Sequence, residues 1–277
     1  MRALWAALAP EPAARQPAYS LDGVVEETLY AAGPVLVGVV LSISNSATAL
    51  ILTGALNVLG AVGIATSSAA KRHSVPAAGR SPTSILGPFK RPGFPLLIAA
   101  MLGVGVGSGP IEVAVVAIAG RAGQPGLAGY LLATLAIGSV IGGLAWGRLH
   151  NDGHASTQLA ALVAAMAAGS VAAAFAPSLP LLGVALALTG LVTAPVFVVA
   201  YLAADTLVPH DGRTEATTWV NTANNTGIAL GAAVAGIVID HVNGRAALIG
   251  SAAVLAITAA TILTTRRRPP RNPALSQ

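Results

Sequence analysis

The chain has no cysteine, and only 9% of its 277 residues are charged. The missing cysteine excludes disulfides, thiolate metal sites and cysteine-based redox chemistry. Soluble domains carry about 25% charged residues. A charge content this low cannot cover a water-exposed surface, and 55% of the residues are hydrophobic, so the solvent implied is a lipid bilayer. Aromatics make up only 4%. The net charge of +5 would suggest a nucleic-acid partner if the basic residues clustered on one soluble face. They lie between apolar runs instead, which points to membrane topology and to no nucleic-acid partner.

Crossing a bilayer takes about 20 mostly apolar residues. Runs of that length predict eight transmembrane helices at 24–43, 47–67, 94–118, 127–147, 156–176, 180–203, 216–239 and 245–264. The breaks between them carry turn residues: SISNS at 42–46, RAGQPG at 121–126, PSLP at 177–180 and DHVNG at 240–244. The fold class is an all-α polytopic helix bundle. Residues 68–93 are rich in Ser, Pro and basic residues and read as a cytoplasmic linker; 266–277 read as a basic cytoplasmic tail. The opening MRALWAALAPEPAARQP reads as a cytoplasmic lead-in rather than a signal peptide. Its apolar run from Ala3 to Ala9 is minimal, and Arg15 and polar residues follow.

Positive charge supports this segmentation. With both termini cytoplasmic, thirteen of the fifteen Lys and Arg residues fall inside, and only Arg121 and Arg245 fall outside. An error in the span count would scramble that bias.

The chain also repeats itself at an offset of 198 residues. ARQPAYSLDGVVEETLYAAGPVLVGVV (14–40) lies over GRTEATTWVNTANNTGIALGAAVAGIV (212–238) without a gap. Arg15 meets Arg213, Thr28 meets Thr226 and Gly33 meets Gly231, and span two falls on span eight at Ala49-Leu50-Ile51 over Ala247-Leu248-Ile249. The offset covers six spans, so the repeat is parallel. A six-span unit repeated twice would have twelve spans, and the expectation is that four are absent from the front. On that reading 1–67 is the remnant of an N-terminal half and 94–265 is a six-helix C-terminal bundle.

Two six-helix halves joined by a basic cytoplasmic loop resemble the major facilitator superfamily of secondary transporters. AYSLDGVVEETLYAAGPVLVG (18–38) resembles its fifth helix, GSVIGGLAWGR (138–148) its eighth, and GRTEATTWVNTANNTGIALGAAVAGIVID (212–240) its eleventh. The resemblance implies the last eight helices of a twelve-helix bacterial permease in the cell membrane. It implies transport of a small molecule, with ion-coupled efflux as the expected form; the resemblance leaves the ion open, and a proton is one candidate. It also places the helices at 24–43 and 216–239 at the interface between the halves.

Polar residues at membrane depth usually face a partner or a water-filled cavity. Glu112 is the deepest acid, roughly 9 Å outward of the midplane at about 1.5 Å per residue. Its setting, GSGPIEVAVVA, holds no basic residue. A carboxyl buried there without a partner would tend to keep its proton, which suits a proton site. The alternative is a structural glutamate hydrogen-bonded between helices. Asn221 and Asn225 are four apart and share a helix face, Asn224 widens it, and Thr214 and Thr218 extend it. This stripe is expected to face a cavity or another helix, either as a substrate site or as interhelical glue. Gly138/Gly142 and Gly227/Gly231 are four apart and suit close helix packing. Gly33-Pro34 and Gly109-Pro110 are candidate helix bends. Asp22, Glu26, Glu27, Asp205, Glu215 and Asp240 are expected to be solvated or interfacial.

All five histidines lie in loops, which argues against an intramembrane zinc site. GVGVGSG (103–109) lies mid-span and lacks the spacing of a dinucleotide fingerprint, and no GxxxxGK[ST] run is present. No cofactor and no enzymatic constellation is expected. The competing reading is a non-transporting membrane protein that assembles with a partner supplying the missing helices.

Overall fold

A computed structural model of the chain describes residues 86–265 apart from 125, 150–152 and 210–211. It also describes residues 43–67 and, nearer the start, 17–21, 23–25, 28, 29, 32, 36 and 40. Among the described residues there are helices and no strand. Seven helices are long and apolar enough to cross a membrane. They are α1 (Ser46–Thr66), α2 (Phe94–Arg121), α3 (Leu127–Arg148), α4 (Ala155–Ala174), α5 (Leu179–Leu207), α6 (Arg213–His241) and α7 (Gly244–Thr264). Each matches a run expected from the sequence. The first expected span, 24–43, falls mostly outside the described residues, and those of it that are described are helical. Gly33, Pro34, Asp22, Glu26 and Glu27 lie outside them.

Two helix starts show the repeat in atomic form. Asn45 caps α1 by accepting the Thr48 N–H at 2.9 Å. Asn243 caps α7 by accepting the Ala246 N–H at 2.8 Å. These residues stand 198 positions apart, the repeat offset, and each side chain satisfies an amide that the first helical turn leaves open.

Helices α2 to α7 pack as one bundle. The closest pairs are α2 with α6 and α3 with α5; α7 packs on α2 and α4, and α4 also packs on α5. Glycine makes the two tightest pairs possible. Gly105 and Gly109 of α2 face the backbone of α6 at Asn224 and Ile228, while Gly227 and Gly231 of α6 face Leu102 and Val106 of α2. On the other pair, Gly138 and Gly142 of α3 lie against Ala187 and Leu191 of α5. A Cβ at any of these six positions would run into a backbone carbonyl oxygen of the partner helix. Lipid offers helices no hydrophobic drive to associate, so close backbone approach supplies the packing energy. Gly138/Gly142 and Gly227/Gly231 have the packing role expected of them, and Gly105 and Gly109 share it.

Hydrogen bonds supplement that packing. Ser251 of α7 donates to the Gly107 carbonyl of α2 at 2.5 Å and lies 3.2 Å from the Ser170 hydroxyl of α4. Since Ser251 has spent its proton, Ser170 donates in that contact. Thr134 of α3 donates to Gly183 of α5 at 2.9 Å. Helix α1 differs from the rest, with Ala49 the buried residue in an otherwise exposed helix.

The end of the expected linker is structured. Residues Gly87–Lys90 form a 3-10 turn with Pro88 buried. Phe89 packs edge-on against Phe94 at 5.4 Å and Trp219 at 5.0 Å between ring centroids.

Candidate functional site

Two groups of polar residues are candidates: one where α5 turns into α6, the other along the outward faces of α2 and α6. On α5, Phe197, Tyr201 and Asp205 follow one another at intervals of four and form one face. Tyr201 donates to the Asn221 side-chain oxygen at 2.6 Å, joining α5 to α6. Tyr19, in the helical stretch 17–21, donates to an oxygen of Asp205 at 2.5 Å. Its ring meets Tyr201 edge-on at 6.2 Å.

All three side chains are buried: Tyr19 is 4% exposed, Tyr201 3% and Asp205 3%. The second carboxylate oxygen of Asp205 is buried without a hydrogen-bond partner. This corrects the expectation of a solvated Asp205. It precedes a loop in sequence, but the stretch bearing Tyr19 covers it.

That stretch is seated by glycine as well. A Cβ at Gly147 of α3 would lie 2.8 Å from the Ser20 Cβ, and one at Gly143 would lie 3.4 Å from Val24. Helix α3 therefore carries two small faces: Gly138/Gly142 receives α5, and Gly143/Gly147 receives the helical residues at 17–21 and 23–25.

The three asparagines occupy three environments. Asn221 is half-buried and bonded to Tyr201. Asn224 is 4% exposed, and its side-chain oxygen has no partner. Asn225 is exposed, as are Thr214, Thr218, Thr222 and Thr226. The polar face of α6 is therefore a threonine stripe joined by Asn225. Asn224 lies instead on the buried face, where its backbone meets Gly105.

Glu112 is exposed, on the side of α2 shared with Val116 and Gly120. The expectation of burial is corrected. Gly109, Pro110, Ile111, Ala114 and Val115 supply the buried face at that depth, which turns residue 112 outward. No hydrogen bond joins Glu112 to a described residue, so it is not a glutamate bonded between these helices. Pro110 is buried within α2 beside Gly109.

Helices α2 and α6 run in the same direction with Gly105 level with Asn224–Ile228 and Gly109 level with Ile228–Ala232. That register puts Glu112 about 12 Å, roughly eight residues of rise, beyond Asn225. The two are separate features of one helix pair.

Among the described residues no group of His, Asp and Glu could hold a metal ion. Sequence reasoning missed Tyr19, Tyr201 and Asp205. The four-residue spacing of Tyr201 and Asp205, an aromatic and an acid on one helix face, was the available signal.

No curated protein matches the chain. The sequence profile of the Major Facilitator Superfamily matches residues 113–277, which includes the C-terminal end of α2 and all of α3 to α7. With that match over more than half of its length, and with a bundle of membrane-length helices, the chain belongs to the Major Facilitator Superfamily.

Proposed function

We propose that this transporter moves a small organic solute outward across the cell membrane in exchange for protons. The working motion is a rocking of two helical bundles about a central path, with 94–265 as one bundle, 1–67 as part of the other, and both chain termini cytoplasmic. One observation carries this reading: the exposed faces of α2 and α6 bear Glu112, Asn225 and four threonines. Polar groups on lipid-facing positions are costly, so these faces suit a solvated path better than hydrocarbon. Glu112 is the proton-coupling group, and Asn225 with Asn221 contacts the solute. Counterflow in vesicles reconstituted with the full chain tests the proposal, using a panel of small organic solutes. Accumulation of any solute above empty vesicles supports it; none across the panel counts against it.

A second reading is assembly with further transmembrane helices supplied by a partner protein. The observation favouring it is α1, exposed along nearly its whole length with Asn57 close to its middle. An asparagine amide in lipid is stabilised by a partner helix. Light scattering of the detergent-extracted protein separates the cases. A protein mass of 27.3 kDa means the chain stands alone, and a larger one means it assembles.

A further inference from the structure

At the end of the bundle where α2, α4 and α6 finish, a cleft of about 400 Å³ opens between the helix ends. Arg121 and Arg245 both line it, together with Ser178, Leu179, Asn243 and Gly244. We propose that this cleft binds a phosphate group.

The two guanidinium groups are held in place by main chain. Arg121 donates to the Ile239 carbonyl at 2.9 Å and to the Val242 carbonyl at 3.5 Å. Arg245 donates to the Ala176 carbonyl at 3.0 Å. These carbonyls close α6 and α4, so the arginines cover the negative ends of two helices. Each guanidinium has five N–H donors, and these contacts leave several for a ligand.

Two helix starts reach the same cleft. Helix α5 begins at Leu179, and its capping residue Ser178 makes no side-chain capping bond. Helix α7 begins at Gly244. Both present the positive end of a helix dipole. None of the described residues lining the cleft is acidic. Fixed guanidinium groups, donors to spare and no carboxylate together suit phosphate, which arginine contacts bidentately.

The phosphate could come from a lipid headgroup or from a soluble ion or ester. Thermal unfolding of the full chain in neutral maltoside micelles distinguishes them, using inorganic phosphate at matched ionic strength and, separately, short-chain phosphatidylglycerol. A ligand of the folded state raises the Tm saturably, here by about 2–8 °C. A response to both probes means that the phosphate itself is read. A response to phosphatidylglycerol alone assigns the site to lipid, and a response to inorganic phosphate alone assigns it to a soluble ligand.

The Arg121→Gln/Arg245→Gln double variant should lose the response. Because it also removes two helix-end contacts, Ser178→Asp serves as an independent check. Aspartate is a good N-cap, so α5 keeps its start, but its charge enters the cleft. The apparent affinity should fall by about tenfold or more. The proposal is overturned if neither probe gives a saturable rise, or if Ser178→Asp leaves the rise unchanged. Neither result depends on whether the chain transports a solute.

Discussion

Tyr19 and Asp205, 186 residues apart in sequence, are joined by a hydrogen bond of 2.5 Å with both side chains buried. It fastens the helical stretch at 17–21 to the last turns of α5, beside the α5–α6 turn. The other Asp205 oxygen has no partner, so the tyrosine hydroxyl is what compensates this carboxylate for burial.

Tyr19→Phe removes that donor and keeps the ring. The expected cost is about 1–3 kcal/mol for leaving the acceptor unpaired, realised as local opening of this end. The chain has no cysteine, so a single introduced thiol is a clean reporter. Val208→Cys places it at a buried position closing α5. Its labelling by a water-soluble maleimide should speed up about 5–150-fold in the Tyr19→Phe background, as an opening easier by about 1–3 kcal/mol requires. Equal labelling rates would mean that this bond does not hold the end closed.

The α2–α6 contact depends on the absence of Cβ atoms at Gly227 and Gly231. Gly227→Val would drive its side chain into the Leu102 carbonyl and the backbone of Gly105, and folded protein should be lost from detergent extracts. Gly236, on the same helix, has open space where a Cβ would go. Gly236→Ala should fold normally and gain about 0.5–1 kcal/mol from helix propensity. Similar yields for both variants on gel filtration would contradict this packing.

Ser251→Ala deletes a hydroxyl shared by three helices. Interhelical hydrogen bonds of this kind contribute about 0.6 kcal/mol on average and up to about 1.7. The upper part of that range is expected, because both the Gly107 carbonyl and the Ser170 hydroxyl lose a partner. Unfolding by denaturing detergent should show it, and no change in midpoint would show that the network contributes nothing.

The spans could be read from the sequence because a bilayer imposes a length, and seven of the expected runs became helices with ends within a few residues. What a helix buries on each side was harder to read. Helix α2 is apolar on every face, so the depth of Glu112 could be inferred but not its direction around the axis. Asn224 and Asn225 are neighbours in sequence, yet the helix turns about 100° between them, and only one is buried. Asp205 looked solvated because it flanks a loop in sequence, while its partner, Tyr19, lies near the start of the chain. Local pattern carries no information on a contact across 186 residues.

The most direct measurement is solute movement driven by an imposed pH gradient, in vesicles holding the full chain or its Glu112→Gln variant. Gradient-driven accumulation of at least one solute by the unaltered chain is the expected result. In Glu112→Gln that accumulation should be lost while downhill exchange of the same solute persists. Gradient-driven accumulation that survives intact in Glu112→Gln would contradict the proton-coupling role of this residue.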